Sequence, residues 1–340
     1  LRRLVRSLNI DANNDKERPM TPVIAFGEAL IDMLSSRLGD NTGQETFTPY
    51  AGGAPANVAV ACARLNVPSQ FLGMVGDDTF GHFLIRELKS HGVDTQGVVL
   101  TKEARTALAF VSRDSSGERT FDFYRPPAAD LLYRLEHLPH GVFEQPAIVH
   151  LCSNSLTDPE IAETTLAIAA MAKRAGCLVS VDANLRHNLW AEGAADPWLV
   201  TELVDSAELV KVSLEELDYL RGDHPKEAWL AERMAAGVKV IVITDGPNNV
   251  VLKGIGIDQT VTPPSVTAVD TTAGGDAFIG GLLAELSSYG ISESWHQDSA
   301  FLTRAVDIAC RCGAHAVTRP GAYAALPTHA DIEALRSSAG

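Results

Sequence analysis

The sequence predicts an α/β protein: a doubly wound, mostly parallel sheet covered by helices, with a small β-sheet lid. Three observations predict this fold. Short apolar segments alternate with helical patterns from residue 147 onward, glycine-rich and polar stretches directly follow apolar segments, and two alternating segments in mid-chain flank a polar turn. Regular strand–helix alternation is typical of parallel sheets that carry helices on both faces.

The first strand is predicted at 23–26 and runs directly into a Gly-Glu pair. A glycine-rich segment at 51–57 then opens a helical pattern at 58–65. Pro55 suits the first helical turn, where its missing N–H costs nothing. A second apolar strand at 69–74 ends in a polar, glycine-containing segment, after which a helix runs to about residue 91.

The middle of the chain changes character. Segments 106–113 and 120–124 flank a polar turn that contains glycine, which predicts a β-hairpin, and residues 46–50 supply a further strand. We therefore expect one α/β domain with an inserted lid. The predicted division is an N-terminal tail at 1–20, the domain at 21–330 with lid strands from about 44–50 and 98–125, and a C-terminal tail at 331–340.

The second half repeats strand and helix. Strands are predicted at 147–152, 178–182, 208–212 and 239–244, and helices at 159–175, 197–206 and 226–236. Ligands of such sheets bind beyond the carboxyl ends of the strands. The polar residues that fall there, including one after the first strand, are Asp32, Asn184, Arg186, Ser213, Glu216, Asp245 and Gly246.

Composition narrows the function. The 340 residues are 46% hydrophobic and carry a net charge of −15, which argues against a nucleic-acid partner. A nucleotide substrate would need local positive groups or a divalent metal. No apolar run approaches the roughly 18 residues of a membrane span, so no membrane partner is expected. Five cysteines without paired spacing indicate reduced thiols in a cytoplasmic protein.

Residues 270–278 carry the strongest candidate for chemistry. Small residues precede Asp276, and an apolar run at helical spacing follows, which predicts a loop opening a helix at Gly274 or Gly275. The exposed amides and the helix dipole can hold an anion, with a carboxylate beside it to accept a hydroxyl proton. The alternative is an ordinary helix start in which the acid only complements the dipole. This segment alone leaves both interpretations open.

Other phosphate motifs are missing from the sequence. It contains no Gly-x4-Gly-Lys-Ser/Thr loop, no protein-kinase signature and no Gly-x-Ser-x-Gly hydrolase motif. Several segments in order instead resemble the ribokinase-like (PfkB) sugar kinases: 52–57 (Gly-Gly-Ala-Pro-Ala-Asn), 76–81, 182–186 (Asp-x-Asn-x-Arg) and 270–276. Within that family, segments 104–111 and 121–130 most resemble fructokinases, whereas 182–190 is also similar to 2-keto-3-deoxygluconate kinases.

The resemblance implies roles for the sugar and for the chemistry. Asp276 would be the general base that takes the proton of a primary hydroxyl, and the amides of Ala273, Gly274 and Gly275 would form the anion hole. The implied sugar ligands are Asp32, Gly52, Gly53 and Asn57. Arg105 or Arg125 would serve an acidic sugar.

The resemblance also implies a nucleotide and ion site. ATP would meet Asn184, Arg186, Lys211, Ser213, Glu216, Thr244, Asp245 and Gly246. Glu216 would act on Mg²⁺ through water. A monovalent cation, usually potassium, would lie near Asp270, Thr272, Ala316 and Gly321.

These expectations converge on transfer of the γ-phosphate of ATP to the 6-hydroxyl of fructose under a closing lid. The alternatives are a 2-keto-3-deoxygluconate kinase, another sugar or nucleoside kinase of the family, and a non-catalytic sugar sensor. The resemblance further implies a homodimer that pairs through the lid. Ala107, Ala109 and Val111 alternate in a way that permits this pairing.

Overall fold

A computed structural model describes residues 19–39, 44–113, 119–125 and 127–338. The strands within these ranges are β1 (Val23–Phe26), β2 (Leu30–Leu38), β3 (Phe47–Gly52), β4 (Ser69–Gly76), β5 (Asp94–Thr101), β6 (Leu108–Arg113), β7 (Arg119–Tyr124), β8 (Ile148–Cys152), β9 (Leu178–Asp182), β10 (Leu209–Ser213), β11 (Val240–Thr244), β12 (Val250–Gly254) and β13 (Ile257–Val261). The α-helices are α1 (Ala54–Arg64), α2 (Thr79–Ser90), α3 (Pro159–Arg174), α4 (Pro197–Ser206), α5 (Leu214–Arg221), α6 (Lys226–Ala236), α7 (Gly274–Tyr289), α8 (Ser299–Val317) and α9 (His329–Ser338).

The main sheet has nine strands in the order β13-β12-β11-β10-β9-β8-β1-β4-β5. The pairs from β11 to β5 are parallel, and only the β11–β12 and β12–β13 pairs are antiparallel. Side chains of β1 alternate between two cores. Val23 and Ala25 pack with residues of α1, α7 and α8, whereas Ile24 and Phe26 pack with residues of α3 and α4 on the other face. The predicted doubly wound, mostly parallel sheet is confirmed.

Local signals define several helix starts. Asp158 and Asp196 accept hydrogen bonds from first-turn amides of α3 and α4, and a proline occupies the first turn of each helix. Asp78 caps α2 in the same way. These caps explain why the predicted boundaries of α3 and α4 agree closely with the structure. Among the described residues, no helix combines the length and apolarity that a membrane crossing needs.

The lid is a four-stranded sheet in the order β3-β2-β6-β7. The predicted hairpin is present as β6 and β7, and the predicted strand at 46–50 is β3. Strand β2, which only three residues separate from β1, was not predicted, so Asp32 lies inside a lid strand and not in a loop after the first strand. Gly27, at φ 147°, lies where the chain leaves one sheet for the other.

Two predicted boundaries change. Residues 98–101, assigned to the lid, belong to β5 and pair with β4 at the edge of the main sheet. An edge strand is partly exposed and alternates like a lid strand, so the pattern does not separate the two. The predicted C-terminal tail at 331–340 is helical to Ser338, with Ile332 buried in the core. Residues 1–18 of the predicted N-terminal tail lie outside the described residues.

The five cysteines are buried and unpaired with one another, as expected for reduced thiols. Burial raises the pKa of the Cys62 thiol to about 12, so it stays protonated and unreactive at neutral pH.

Candidate active site

Two cavities meet at one carboxylate. The lid cavity lies between the lid and the main sheet, and its lining includes Glu28, Asp32, Gly53, Asn57, Phe121, Phe123, Arg125 and Asn154. The strand-end cavity lies beyond β9 and β10, and its lining includes Asp182, Asn184, Lys211, Ser213, Glu215, Glu216, Thr271 and Gly275. Arg186, Thr272 and Asp276 line both cavities. Groups bound in the two cavities would therefore meet beside Asp276.

Asp276 lies in the first turn of α7, and only 6% of its surface is exposed. Its Oδ2 accepts a hydrogen bond of 2.7 Å from Nδ2 of Asn57 in α1. Burial raises the pKa of this carboxyl, while the Asn57 hydrogen bond and the charges of Arg186 and Lys211 act in the opposite direction. A carboxylate of raised basicity suits proton abstraction better than an exposed aspartate.

The start of α7 is open toward the strand-end cavity. The helix begins at Gly274, and no side chain caps it. Among the three amides predicted to form the anion hole, that of Gly274 already has a partner, because its N–H donates to the carbonyl of Thr271 at 3.3 Å. Gly275 lines the cavity, and a Cβ atom there would lie 3.3 Å from Nζ of Lys211. Backbone amides, the helix dipole and an ammonium group thus converge on one spot that suits an anion.

A buried ion pair supports this end of the cavity. Nζ of Lys211 lies 3.0 Å and 3.1 Å from the two carboxylate oxygens of Asp182. Burial raises the pKa of Asp182 to about 7, although the Lys211 charge opposes the shift. Burial alone would lower the pKa of Lys211, but the charges of Asp182 and Glu216 outweigh it and raise that pKa, so Lys211 remains a cation.

Glu216 fastens two backbone segments together. Its Oε2 accepts from the N–H of Ser213 at 2.7 Å, and its Oε1 accepts from the N–H of Leu185 at 2.8 Å. The Ser213 hydroxyl accepts in return from the N–H of Glu216, forming a capping box at the start of α5. Ser213 and Glu216 therefore have a structural task, and both still line the strand-end cavity.

The remaining predicted nucleotide residues are arranged unequally. Asn184, at φ 38°, and the exposed Arg186 line the strand-end cavity. Thr244, the last residue of β11, pairs in register with Ser213 on the neighbouring strand. Asp245 and Gly246 therefore follow at the same edge of the sheet as Ser213. None of these three residues lines either cavity.

Asp270 joins the predicted cation segments. Its Oδ1 accepts from the Thr272 N–H at 3.0 Å, and its Oδ2 accepts from the Gly321 N–H at 2.7 Å. The Ala316 carbonyl accepts from the Arg319 N–H at 3.3 Å. The N–H of Asp270 donates at 3.0 Å to the carbonyl of Val317, the residue after Ala316, so the four predicted cation residues lie in segments that meet where the 270–276 loop contacts the end of α8.

The lid cavity presents polar groups at close quarters. A Cβ atom at Gly52 would lie 2.3 Å from Oδ2 of Asp32, so only glycine leaves this carboxylate its place. Gly53 has φ 104°, and a Cβ atom there would lie 2.4 Å from the carbonyl oxygen of Glu28. The buried Oδ1 atom of Asn57 has no hydrogen-bond partner within the described residues. Buried polar atoms of this kind are satisfied by a ligand or water.

The two arginines considered for an acidic sugar differ. Arg105 is exposed and lines neither cavity. Arg125 lines the lid cavity and is 2% exposed, with its guanidinium paired to Asp130. Sequence spacing around the hairpin does not distinguish their environments.

Sequence reasoning missed several lining residues. Glu28 and Asn154 follow the carboxyl ends of β1 and β8 and hydrogen-bond to each other at 3.0 Å. The strand-end rule applied to Asp32 and Asn184 would have found both. Phe121 and Phe123 were assigned to the hairpin, but their inward orientation depends on the lid's register.

Replacing Asn57 with Ala is predicted to move the acid limb of the pH–kcat/KM profile to higher pH. The hydrogen bond from Asn57 lowers the pKa of Asp276, so its loss lets burial raise that pKa further. Steady-state rates from pH 5 to 9 measure the shift. Asn154→Ala is the matched control, because Asn154 lines the same cavity and bonds to Glu28. If the acid limb does not move in Asn57→Ala, then Asp276 is not the group whose titration produces that limb.

Comparisons with known proteins show the family of this chain. The family model for pfkB family carbohydrate kinases matches residues 20–329. A probable fructokinase-5 from Arabidopsis thaliana is 38% identical over 318 residues, covering 93% of this chain and 97% of the plant protein.

Two solved structures share the fold. A fructokinase from Xylella fastidiosa with bound ATP has a TM-score of 0.88 and 39% identity, covering 94% of this chain and 98% of that one. A fructokinase from Vibrio cholerae with fructose, ADP and calcium bound has a TM-score of 0.82 and 35% identity, covering 93% of this chain and 99% of that one. The family model spans nearly the whole described chain, so the resemblance is confirmed and this protein belongs to the pfkB family of carbohydrate kinases.

Proposed function

We propose that this kinase transfers the γ-phosphate of ATP to the 6-hydroxyl of fructose, with Asp276 as the general base. The observation that carries the proposal is the meeting of the two cavities at the buried Asp276 carboxylate. The sugar occupies the lid cavity and ATP the strand-end cavity. Asp276 takes the hydroxyl proton as the oxygen attacks the γ-phosphorus and ADP leaves.

Polar groups of the lid cavity suit a polyol. Asp32 and the free Oδ1 atom of Asn57 accept hydrogen bonds from hydroxyl groups, and the backbone at Gly52 and Gly53 allows close approach. The aromatic rings of Phe121 and Phe123 cover the cavity from the lid. Asn188, which follows β9, donates to the Phe121 carbonyl at 2.9 Å and so links the lid to a segment of the main domain. A lid closed in this way excludes water from the reacting groups.

The strand-end cavity suits a triphosphate. The uncapped start of α7 at Gly275, together with Lys211 and Arg186, supplies positive potential in a chain whose net charge is −15. These groups stabilise the transferring phosphoryl group. Thr244, Asp245 and Gly246 follow at the same sheet edge as Ser213, and in this proposal they would contact the nucleoside part of ATP.

Two ions belong to the proposal. Mg²⁺ prefers oxygen ligands and keeps several waters, and the carboxylates of Glu215 and Glu216 line the cavity where phosphates would lie. The bound Mg²⁺ would neutralise phosphate charge. A potassium ion would lie at the junction held by Asp270, where Thr272, Ala316 and Gly321 supply backbone oxygens. Calcium bound to the Vibrio cholerae relative supports a cation site in proteins of this type.

A homodimer through the lid is also proposed, but by a different face from the predicted one. Ala107, Ala109 and Val111 are buried within the chain, because alternate residues of β6 point into the domain. The opposite face carries an aromatic row in which Phe110 contacts both Phe47 and Tyr124, each at 5.1 Å between ring centroids. Tyr124 is 67% exposed, so this face offers apolar area to a second copy.

Sugar-stimulated ADP release tests the proposed activity. A panel of fructose, ribose, 2-keto-3-deoxygluconate and adenosine, each at matched ATP and Mg²⁺, is expected to show the highest kcat/KM with fructose. A higher kcat/KM for 2-keto-3-deoxygluconate or adenosine would show that this compound, and not fructose, is the preferred substrate. No stimulation by any of the four would favour a non-catalytic sensor.

A further inference from the structure

We infer that Asp130 is a positioning residue that makes the lid cavity reject sugar acids, because it neutralises Arg125. The inference rests on the proposed binding of sugar in this cavity. It concerns a residue outside the cavity wall, which acts on the substrate only through the arginine that lines the wall.

Arg125 is engaged along its whole guanidinium. Nε donates to Oδ2 of Asp130 at 2.7 Å, and Nη2 lies 2.6 Å from the same oxygen. Nη1 donates to the hydroxyl of Thr157 at 3.1 Å. The side chains of Arg125 and Asp130 are each only 2% exposed, so the pair is shielded from solvent. Among the described residues that line the lid cavity, the buried cation therefore has its counter-charge already.

Glu28 adds a second carboxylate beside the same arginine. Its buried Oε1 accepts from the N–H of Ala54 at 3.2 Å and from Nδ2 of Asn154 at 3.0 Å. Burial raises the pKa of Glu28, and the nearby charge of Arg125 opposes that shift. The buried guanidinium of Arg125 therefore interacts electrostatically with two carboxyl groups, those of Glu28 and Asp130.

The charge balance of the cavity disfavours an anion. Among the described residues, its lining carries the carboxylates of Glu28, Asp32 and Asp276, and Arg186, the second lining arginine, is exposed and shared with the strand-end cavity. The carboxylate of a sugar acid would leave water for a cavity whose buried arginine is already paired, which is costly. A neutral sugar meets no such penalty.

Asp130→Asn is the central variant. Asparagine keeps an acceptor for Nε of Arg125 but removes the negative charge, so the guanidinium can pair with a sugar carboxylate. We expect the ratio of kcat/KM for 2-keto-3-deoxygluconate to that for fructose to rise about tenfold or more, the scale of one charged hydrogen bond. Asp130→Glu, which restores the charge, is expected to return the ratio toward that of the unmodified protein.

Two further variants make the test specific. Asp122→Asn removes the same charge from an exposed lid position, so it is expected to leave the ratio unchanged. Glu28→Gln removes the other carboxylate near Arg125 and keeps an oxygen for the Ala54 N–H. It is expected to shift the ratio in the same direction as Asp130→Asn, and it serves if that variant does not fold.

Binding gives a readout independent of turnover. The rise in melting temperature caused by 2-keto-3-deoxygluconate is expected to be larger for Asp130→Asn than for the unmodified protein. Folded Asp130→Asn and Glu28→Gln variants that keep the original ratio and the original thermal shifts would overturn the inference, as would an equal gain in Asp122→Asn. Failure of the unmodified protein to phosphorylate any sugar would instead contradict the proposed function and leave the binding comparison intact.

Discussion

Replacing Asp276 with Asn is expected to lower kcat about 10²- to 10⁴-fold, the range that a general base contributes. Asparagine is isosteric, and its Oδ1 can still accept the hydrogen bond that Asn57 donates to Asp276 at 2.7 Å. The variant therefore removes the proton acceptor and preserves the local geometry. Losing an interaction that is made only in the transition state lowers kcat without weakening substrate binding, so the dissociation constant for fructose should change little.

Single-turnover kinetics and calorimetric titration separate these two quantities. Asp122→Asn is the matched control, because it removes a carboxylate from an exposed lid position that lines neither cavity. Near-normal turnover in Asp276→Asn would show that another group, or water, takes the proton. Weaker fructose binding with an unchanged single-turnover rate at saturating fructose would show that Asp276 binds the sugar and does not act as the base.

Lys211→Met is expected to lower the free energy of unfolding by about 3–5 kcal/mol near pH 8, the cost of breaking a buried ion pair from one side. Methionine leaves Asp182 buried without the ammonium that lies 3.0 Å away. Turnover should fall as well, because Lys211 also faces the strand-end cavity at Gly275. Urea unfolding and ADP release measure the two effects on the same protein.

The pH dependence of this loss has a definite sign. The folded-state pKa of Asp182, about 7, is above the ordinary aspartate value of 3.8, so the folded state binds a proton that the unfolded state releases and loses stability as pH rises from about 4 to 7. Loss of the Lys211 charge raises that pKa further, which extends the decline to higher pH. The destabilisation by Lys211→Met should therefore be small at pH 5 and largest at pH 8. An equal loss at both values would contradict the coupling.

A double variant separates stability from activity. Asp182→Leu combined with Lys211→Met replaces the pair by apolar side chains, which commonly restores stability. We expect it to recover most of the unfolding free energy but not the turnover, since the ammonium is still missing from the phosphate side. Recovery of both would make Lys211 a purely structural residue.

Much of the fold followed from local chemistry in the sequence. The strands β1 and β9 and the helices α4 and α6 have the predicted bounds, because a buried apolar run or a cap and a proline define each one. The lid strand β2 was missed because only three residues separate it from β1, and the sequence shows no turn between them that hydrophobicity can detect. Part of the edge strand β5 was assigned to the lid because its partly exposed, alternating pattern is the same as that of a lid strand.

The site was predicted less evenly. Residues next to strand ends were found by the strand-end rule, but the hydrogen bond between Asn57 and Asp276 joins residues 219 positions apart, which spacing does not reveal. The same limit applies to charge. Arg105 and Arg125 both flank the predicted hairpin, yet one is exposed and the other is buried against Asp130, a contact that sequence spacing does not reveal.

The most direct test of the central claim is a crystal structure of Asp276→Asn with fructose, ATP and Mg²⁺, since this variant should bind both substrates without consuming them. We predict fructose in the lid cavity with its 6-hydroxyl within hydrogen-bond distance of the side chain at position 276, and the γ-phosphate at the Gly275 amide with Lys211 and Arg186 beside it. Fructose with its 6-hydroxyl turned away from position 276, or triphosphate bound outside the strand-end cavity, would contradict the account.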